Sequence, residues 1–288
     1  TLRLCGIKNP TATGTAINSA MRTVQIAKNR RRAGWSRGRS GGAKCMGTGV
    51  PRGVVTGRVA SGGMSASTEP TTTLFGELKK AIADDWHDYT HHAFVEQLGA
   101  GTLPLDAFKD YLVQDYLFLI QFCRSYALAG YKGENLDDIQ ASMEGLQVIL
   151  DETRLHVKLT ASWGIEEQEL LKAPEKVGTV AYTRYVLDAG MTGDLLDLHV
   201  ALAPCVIGYA EIGERLAPLL ERRDDHPYRE WISTYASAEF QEGARKAVEQ
   251  LDALHDRFGS PARFEQLAHV FRTATRMESG FWQQALEK

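Results

Sequence analysis

Cysteine is scarce in this sequence and poorly spaced for cross-linking. Its four copies, Cys5, Cys45, Cys123 and Cys205, form no CxxC pair in 288 residues. That excludes a zinc site made by cysteine clustering and a disulfide scaffold, and leaves free thiols in a reducing compartment as the expectation. No run approaches the roughly 18 uninterrupted apolar residues of a membrane helix, so no membrane partner is expected. No stretch alternates with period two between turn residues, so no sheet is expected either. The sharpest absence is of acid at one end. Residues 1–68 contain no Asp or Glu but hold 12 of the 33 Lys and Arg. The other 21 basic residues face all 36 acidic ones in 69–288, a formal charge of −15, and the whole-chain value of −3 describes neither part.

The basic arm, residues 1–68, also lacks sustained apolar periodicity, and "NRRRAGWSRGRSGG" at 29–42 typifies it. The expectation is a disordered or only locally ordered extension. Several origins stay open. Arg- and Ser-rich, acid-poor composition suits an organelle transit peptide. A nucleic-acid-binding arm would also be basic, but a single aromatic, Trp35, equips it poorly for stacking bases, and no nucleic-acid partner is expected. The arm could also lie outside the native coding sequence, with Met64 in "SGGMSASTEPTTTLFGEL" as the start, or be a generic flexible tail. A cytoplasmic protein is expected, or an organellar one if the arm is a transit peptide.

Residues 69–288 read as one all-α domain of about seven helices. "LFGELKKAIADDWHDYTHHAFVEQL" (74–98) repeats apolar residues every three or four positions and ends at "GAG". A second helix, 104–130, opens with proline in its first turn and closes on glycine, and a third, 135–164, starts on a capping asparagine. Further helices are expected at about 174–190, 194–220, 227–257 and 261–286, the last announced by Ser260 as cap and Pro261 in the first turn. Any buried site then lies between packed helices.

In such a bundle the informative residues are polar ones on apolar faces. Asp115 shares its stripe with Tyr111, Leu112, Phe118 and Leu119, where an unpaired carboxylate costs several kcal/mol, so it needs a partner or a polar pocket. Cys205 sits in "ALAPCVIGYAEI" (201–212), after a ladder-breaking proline and four residues before Tyr209. It is either a small apolar filler or a nucleophile, and the second role requires a thiolate with a donor or base nearby. Cys123, in an equally apolar helix without a polar companion, reads as packing. Glu278 has Phe281 and Trp282 at i+3 and i+4, and is either a solvated residue beside a stripe or an acid whose pKa is raised toward working pH. His156 and Glu152, four apart, invite a metal reading, but a di-iron centre needs more ligands than the later helices supply, and no metal is expected. The histidines of "WHDYTHHAF" (86–94) could hold a haem from one side, though a solvated cluster is the better expectation.

Four segments, "YLVQDYLF", "APCVIGYAEIG", "WISTYASAEF" and "MESGFW", in this order and spacing, resemble the TenA/thiaminase II family over about 73–286. The resemblance implies a haem-oxygenase-like helical bundle. It also implies cofactor-free hydrolysis of thiamin-derived aminopyrimidines to the hydroxymethylpyrimidine, with cleavage of thiamin itself, in thiamin salvage. Cys205 would be the nucleophile adding to the ring, Glu278 the acid on one ring nitrogen, and Asp115 the anchor of the amino group and another ring nitrogen. Phe118 would stack on the pyrimidine with His156 nearby, Tyr209 and Tyr235 would hydrogen-bond around the thiol, and Tyr182 would line the pocket. A homotetramer is implied as well. The alternative left open is a non-catalytic helical protein that binds a pyrimidine or thiamin-like ligand, with Cys205 inert. The basic arm has no place in the family pattern.

Overall fold

The structure, a computed structural model, describes residues 72–287, and the readings made for the arm, residues 1–68, lie outside them. Among the described residues every regular element is a helix and there is no strand. The expected first helix is three short ones: α1 (Leu74–Ala81), α2 (Ala83–Thr90) and α3 (Ala93–Ala100). The chain bends at Ile82 and again at His91, and the His92 imidazole accepts the Phe94 amide to cap α3. Gly101, at φ +70°, ends α3 in the left-handed region that glycine adopts without cost.

Two long helices follow, α4 (Leu105–Lys132) and α5 (Leu136–Ser162), packed along each other. Pro104 stands at the N-cap of α4, one residue outside the expected first turn. The Asn135 side chain accepts the Asp138 amide at 2.9 Å, as expected of a cap. A short α6 (Glu167–Lys172) was not expected. It leads to α7 (Val177–Thr192) and then to the central rod: α8 (Leu195–Ala203), a π-turn over Pro204–Gly208, α9 (Tyr209–Leu216) and a 3₁₀ turn, Ala217–Arg222. The rod's most apolar 18-residue window has a mean hydropathy of 1.5, long and apolar enough to cross a bilayer, yet 83% of it is buried inside the bundle. Its hydrophobicity is that of a helix wrapped by others.

The helix expected at 227–257 is two, α10 (Arg229–Tyr235) and α11 (Ala238–Phe258), the second capped by the Ser237 hydroxyl. A 3₁₀ turn, Pro261–Arg263, leads into α12 (Phe264–Leu286). Ser260 occupies the cap position there but makes no side-chain capping bond, contrary to expectation. The last helix packs against α2, α3, α4, α7 and α8, so its inward face reaches the middle of the bundle.

Candidate active site

The rod supplies the thiol. Pro204 has no amide hydrogen to return to the preceding turn, and the helix absorbs it by widening to a π-turn over Pro204–Gly208. The widened turn is closed from outside by Tyr89 of α2, whose hydroxyl donates to the Pro204 carbonyl at 3.2 Å. Gly208 permits that approach, since a Cβ there would lie 2.4 Å from the Tyr89 ring. Ala201, Leu202, Ala203 and Pro204 are buried, whereas Cys205 is only half-buried. Its sulfur makes no hydrogen bond among the described residues.

Around this thiol the neighbouring helices contribute acids. Glu278 of α12 is 1% exposed, and Tyr182 of α7 donates to its Oε1 at 2.8 Å. Burial raises the Glu278 pKa to about 8, and the Asp115 charge adds to the rise against the Tyr182 bond. Asp115, buried on α4, is lifted to about 7 by loss of solvent. Its Oδ2 lies 3.5 Å from Nδ1 of His156 on α5. The His156 Nε2 faces the Leu112 carbonyl at 2.9 Å. A carbonyl only accepts, so Nε2 carries the proton, and burial lowers the ring's pKa toward the neutral form. Nδ1 then offers a lone pair to Asp115 rather than a positive charge. Glu152, one turn before His156, is likewise pushed up to about 7, by burial and then by Asp115.

The Cys205 thiol is held well above its ordinary pKa, first by burial and then by the charges of Glu278, Asp115 and Glu152. In the unliganded protein it is therefore a thiol at neutral pH. The thiolate required of a nucleophile has to be generated when a ligand binds beside it.

Aromatic residues form the remaining wall. Phe118 packs against Tyr182 and Phe281, with ring centroids 5.0 and 5.8 Å apart. Tyr209 lies 4.9 Å from Tyr235 and 5.2 Å from Trp282. The Tyr111 hydroxyl beside them accepts from the Trp231 indole at 3.2 Å. Asp115, Glu278, Tyr182 and Cys205 are near enough for their charges to act on one another, and Phe118, His156, Tyr209 and Tyr235 adjoin them.

Three contributors were not singled out from the sequence. Tyr111 and Tyr89 stand in apolar stripes, where an aromatic residue looks like core. Glu152 was noted only as half of a metal pair. Among the described residues no group of three or more His, Cys, Asp or Glu is placed to hold a metal ion. The other histidine cluster faces outward: the His87 and His91 rings stack 4.2 Å apart on an exposed edge, while His92 caps a helix. Cys123 is partly buried and packed against the core.

The sequence profile of the TENA/THI-4/PQQC family matches residues 79–288. The chain belongs to this family. The family read from four short segments is thus the one found. An uncharacterized protein of Haemophilus influenzae is 41% identical over 202 residues, 70% of this chain and 94% of its own. The aminopyrimidine aminohydrolase of Halalkalibacterium halodurans is 36% identical over 202 residues, 69% of this chain and 89% of that one. Among solved structures, a TenA family transcription regulator from Silicibacter sp. TM1040 superposes with a TM-score of 0.68 at 43% identity, covering 77% of this chain and 100% of its own. A domain of Shewanella denitrificans with a heme oxygenase-like fold is alike at TM-score 0.60 and 12% identity, a likeness of fold alone. The architecture of this family member is the all-α, haem-oxygenase-like bundle.

Proposed function

We propose that the protein is an aminopyrimidine aminohydrolase with thiaminase II activity, acting in thiamin salvage by covalent catalysis from Cys205. The observation that carries this reading is a half-buried thiol on the rod near two buried acids, Asp115 and Glu278, that no lysine or arginine among the described residues pairs with. The 36% identity to a relative named for the same hydrolysis supports it.

The chemistry follows from where the protons sit. A pyrimidine ring carbon is a poor electrophile until a ring nitrogen is protonated. Glu278 holds a proton at neutral pH and donates it to the ring nitrogen as the Cys205 sulfur bonds to the ring carbon. The thiol's proton replaces the one Glu278 gives up, so the cavity gains no charge. Asp115 fixes the opposite edge by accepting from the amino group, and Phe118 packs on the ring face. Addition breaks the ring's aromaticity, and the exocyclic ammonium departs as ammonia with the C–N electron pair. Water adds to the carbon left behind and its proton goes to the ammonia; the sulfur is then expelled as the ring nitrogen gives up its added proton, which restores the thiol and the ring's aromaticity. Tyr182 holds Glu278 in place, and Tyr209 and Tyr235 shape the wall beside the thiol. No step calls for a cofactor.

A second reading, a non-catalytic protein that binds a pyrimidine, is favoured by one observation: the resting thiol is protonated. Cys205→Ser separates the two. Ammonia release from 4-amino-5-aminomethyl-2-methylpyrimidine is expected to fall at least about 1,000-fold, with ligand binding retained. Wild-type turnover in that variant would remove the nucleophile from the scheme. The same reading has copies of the chain associating through an exposed apolar stripe on α5, Leu136, Ile139, Met143 and Leu150, which light scattering of the purified protein reports.

A further inference from the structure

The helices that carry Asp115, Tyr182 and Glu278 are also joined by a buried polar triangle that the scheme above does not use. Its corners are Gln114 of α4, Thr179 of α7 and Gln284 of α12, which are 3%, 0% and 8% exposed. The Thr179 amide donates to the Gln284 Oε1 at 3.2 Å, which leaves the Gln284 Nε2 to donate to the Thr179 hydroxyl at 2.9 Å. The hydroxyl sends its own proton to the Gln114 Oε1 at 2.6 Å. Gln114 is fixed in that orientation by the Lys176 amide, which donates to the same oxygen at 2.9 Å, while its Nε2 donates to the Pro174 carbonyl at 3.1 Å. Gly178 leaves room for Gln284, since a Cβ there would lie 2.6 Å from the Gln284 Oε1.

Helical spacing ties this triangle to the site. Phe118 is four residues from Gln114, Tyr182 is three from Thr179, and Phe281 is three from Gln284. Each helix thus gives one residue to the triangle and the next on the same face to an aromatic layer. Phe118 closes that layer, 5.0 Å from Tyr182 and 5.8 Å from Phe281. One further turn along α12 stands Glu278, to which Tyr182 donates at 2.8 Å. Aromatic contact tolerates sliding, but a hydrogen bond near 3 Å is broken by a shift of about 1 Å. The triangle is therefore the sharper constraint on how the three helices stand against one another.

We propose that Thr179 is a positioning residue for the reaction. Its hydroxyl, shared between Gln114 and Gln284, locks the register of α7 against α4 and α12 and so the placement of Tyr182 against Glu278. The inference rests on the aminopyrimidine reading of the site.

The test is Thr179→Val, which keeps the shape and removes the hydroxyl, assayed in the full chain by ammonia release from 4-amino-5-aminomethyl-2-methylpyrimidine. It is expected to lower kcat about 100-fold, the effect of a misplacement of about 1 Å, with KM changed less than about threefold. Thr179→Ser, which returns the hydroxyl, should recover kcat to within about threefold of the parent. In a Tyr182→Phe background the same Thr179→Val change should cost less than about tenfold, because both act through the placement of Glu278. Thr160→Val removes a fully buried hydroxyl that bonds only within its own helix, to the Val157 carbonyl at 2.9 Å, and should leave kcat unchanged. Should Thr179→Val fail to fold, Gln284→Met breaks the triangle from α12 and is expected to give the same loss. A parental kcat in the triangle variant, no recovery in Thr179→Ser, an equal loss in Thr160→Val, or full additivity with Tyr182→Phe overturns the inference. If the parent releases no ammonia, the aminopyrimidine reading falls and takes this one with it. If the parent is active and Thr179→Val matches it, only the role of Thr179 falls.

Discussion

Asp197 and Asp115 are both buried aspartates on helices of the bundle, and they are held in opposite ways. Asp197, in the first turn of α8, receives Arg263 at 2.8 Å, Gln266 at 2.9 Å and the Asp194 amide at 2.9 Å. Asp194 reciprocates by accepting the Leu196 and Asp197 amides, which completes a capping box. Among the described residues Asp115 has only a neutral imidazole at 3.5 Å. Burial is the same in both places, and partnering differs. Where the protein itself supplies a cation and donors, a buried acid fastens two elements together. Where it withholds them, the acid keeps a proton near neutral pH and is available to something that arrives.

The largest effect that could break this contrast is at Glu278, a second buried acid that no lysine or arginine among the described residues pairs with. Glu278→Gln keeps the shape and the Tyr182 contact but removes the transferable proton. Turnover is expected to fall on the order of 100- to 10,000-fold, while pyrimidine binding changes little. Poor binding with normal turnover at saturation would show that Glu278 acts as structure. The paired corner makes the converse prediction. Arg263→Ala leaves Asp197 buried without its cation and should cost about 3 kcal/mol in denaturant unfolding, with kcat unchanged. A loss of kcat with intact stability would erase the distinction between corner and cavity.

A smaller effect sharpens the comparison through pH. Asp115 and Glu278 titrate at about 7 and about 8 in the folded chain, above the ordinary carboxyl range of the unfolded one. The native state therefore holds protons that the unfolded state has released. The stability these groups contribute is complete at acid pH and lost as pH rises through 7 and 8. Asp115→Asn removes one share of that loss. Thermal melts of wild type and variant should differ least near pH 4, and the variant should gain on the wild type as pH rises to 8. A variant less stable at both values would mean that the Asp115 carboxylate has a structural partner like that of Asp197.

Much of this was legible in the sequence, for a physical reason. Apolar residues every three or four positions mark helix faces, so α4, α5, α7 and the central rod stand near their expected places. The breaks at Ile82, His91 and Ala236 left no mark, because a one-residue bend hardly shifts the apolar phase on either side. Asp115 and Glu278 were visible because a carboxylate in an apolar stripe needs an explanation. Tyr89 and Tyr111 were not, since a tyrosine there satisfies the pattern whether or not its hydroxyl has a task. Tyr182 and Tyr235 were reached only through the family resemblance. The state of the thiol was not legible at all, because it depends first on how deeply the fold buries it and then on three carboxylates carried by three other helices.

The π-turn at Pro204–Gly208 links the two regions without touching both. One extra residue in a helix rotates everything beyond it by about 100°. Upstream of the turn, α8 is phased so that Asp197 meets Arg263. Downstream, α9 is phased so that Tyr209 meets Tyr235 and Trp282. Deleting a single residue between 205 and 208 would narrow the turn to regular helix and press the Pro204 ring against the carbonyl four residues before it. It would also turn one half against the other like a coupling slipped by a tooth, and either the corner or the cavity would face the wrong neighbours. The irregular turn is thus a phase adjuster, letting one straight rod serve two sets of partners that no regular helix of this length could satisfy together.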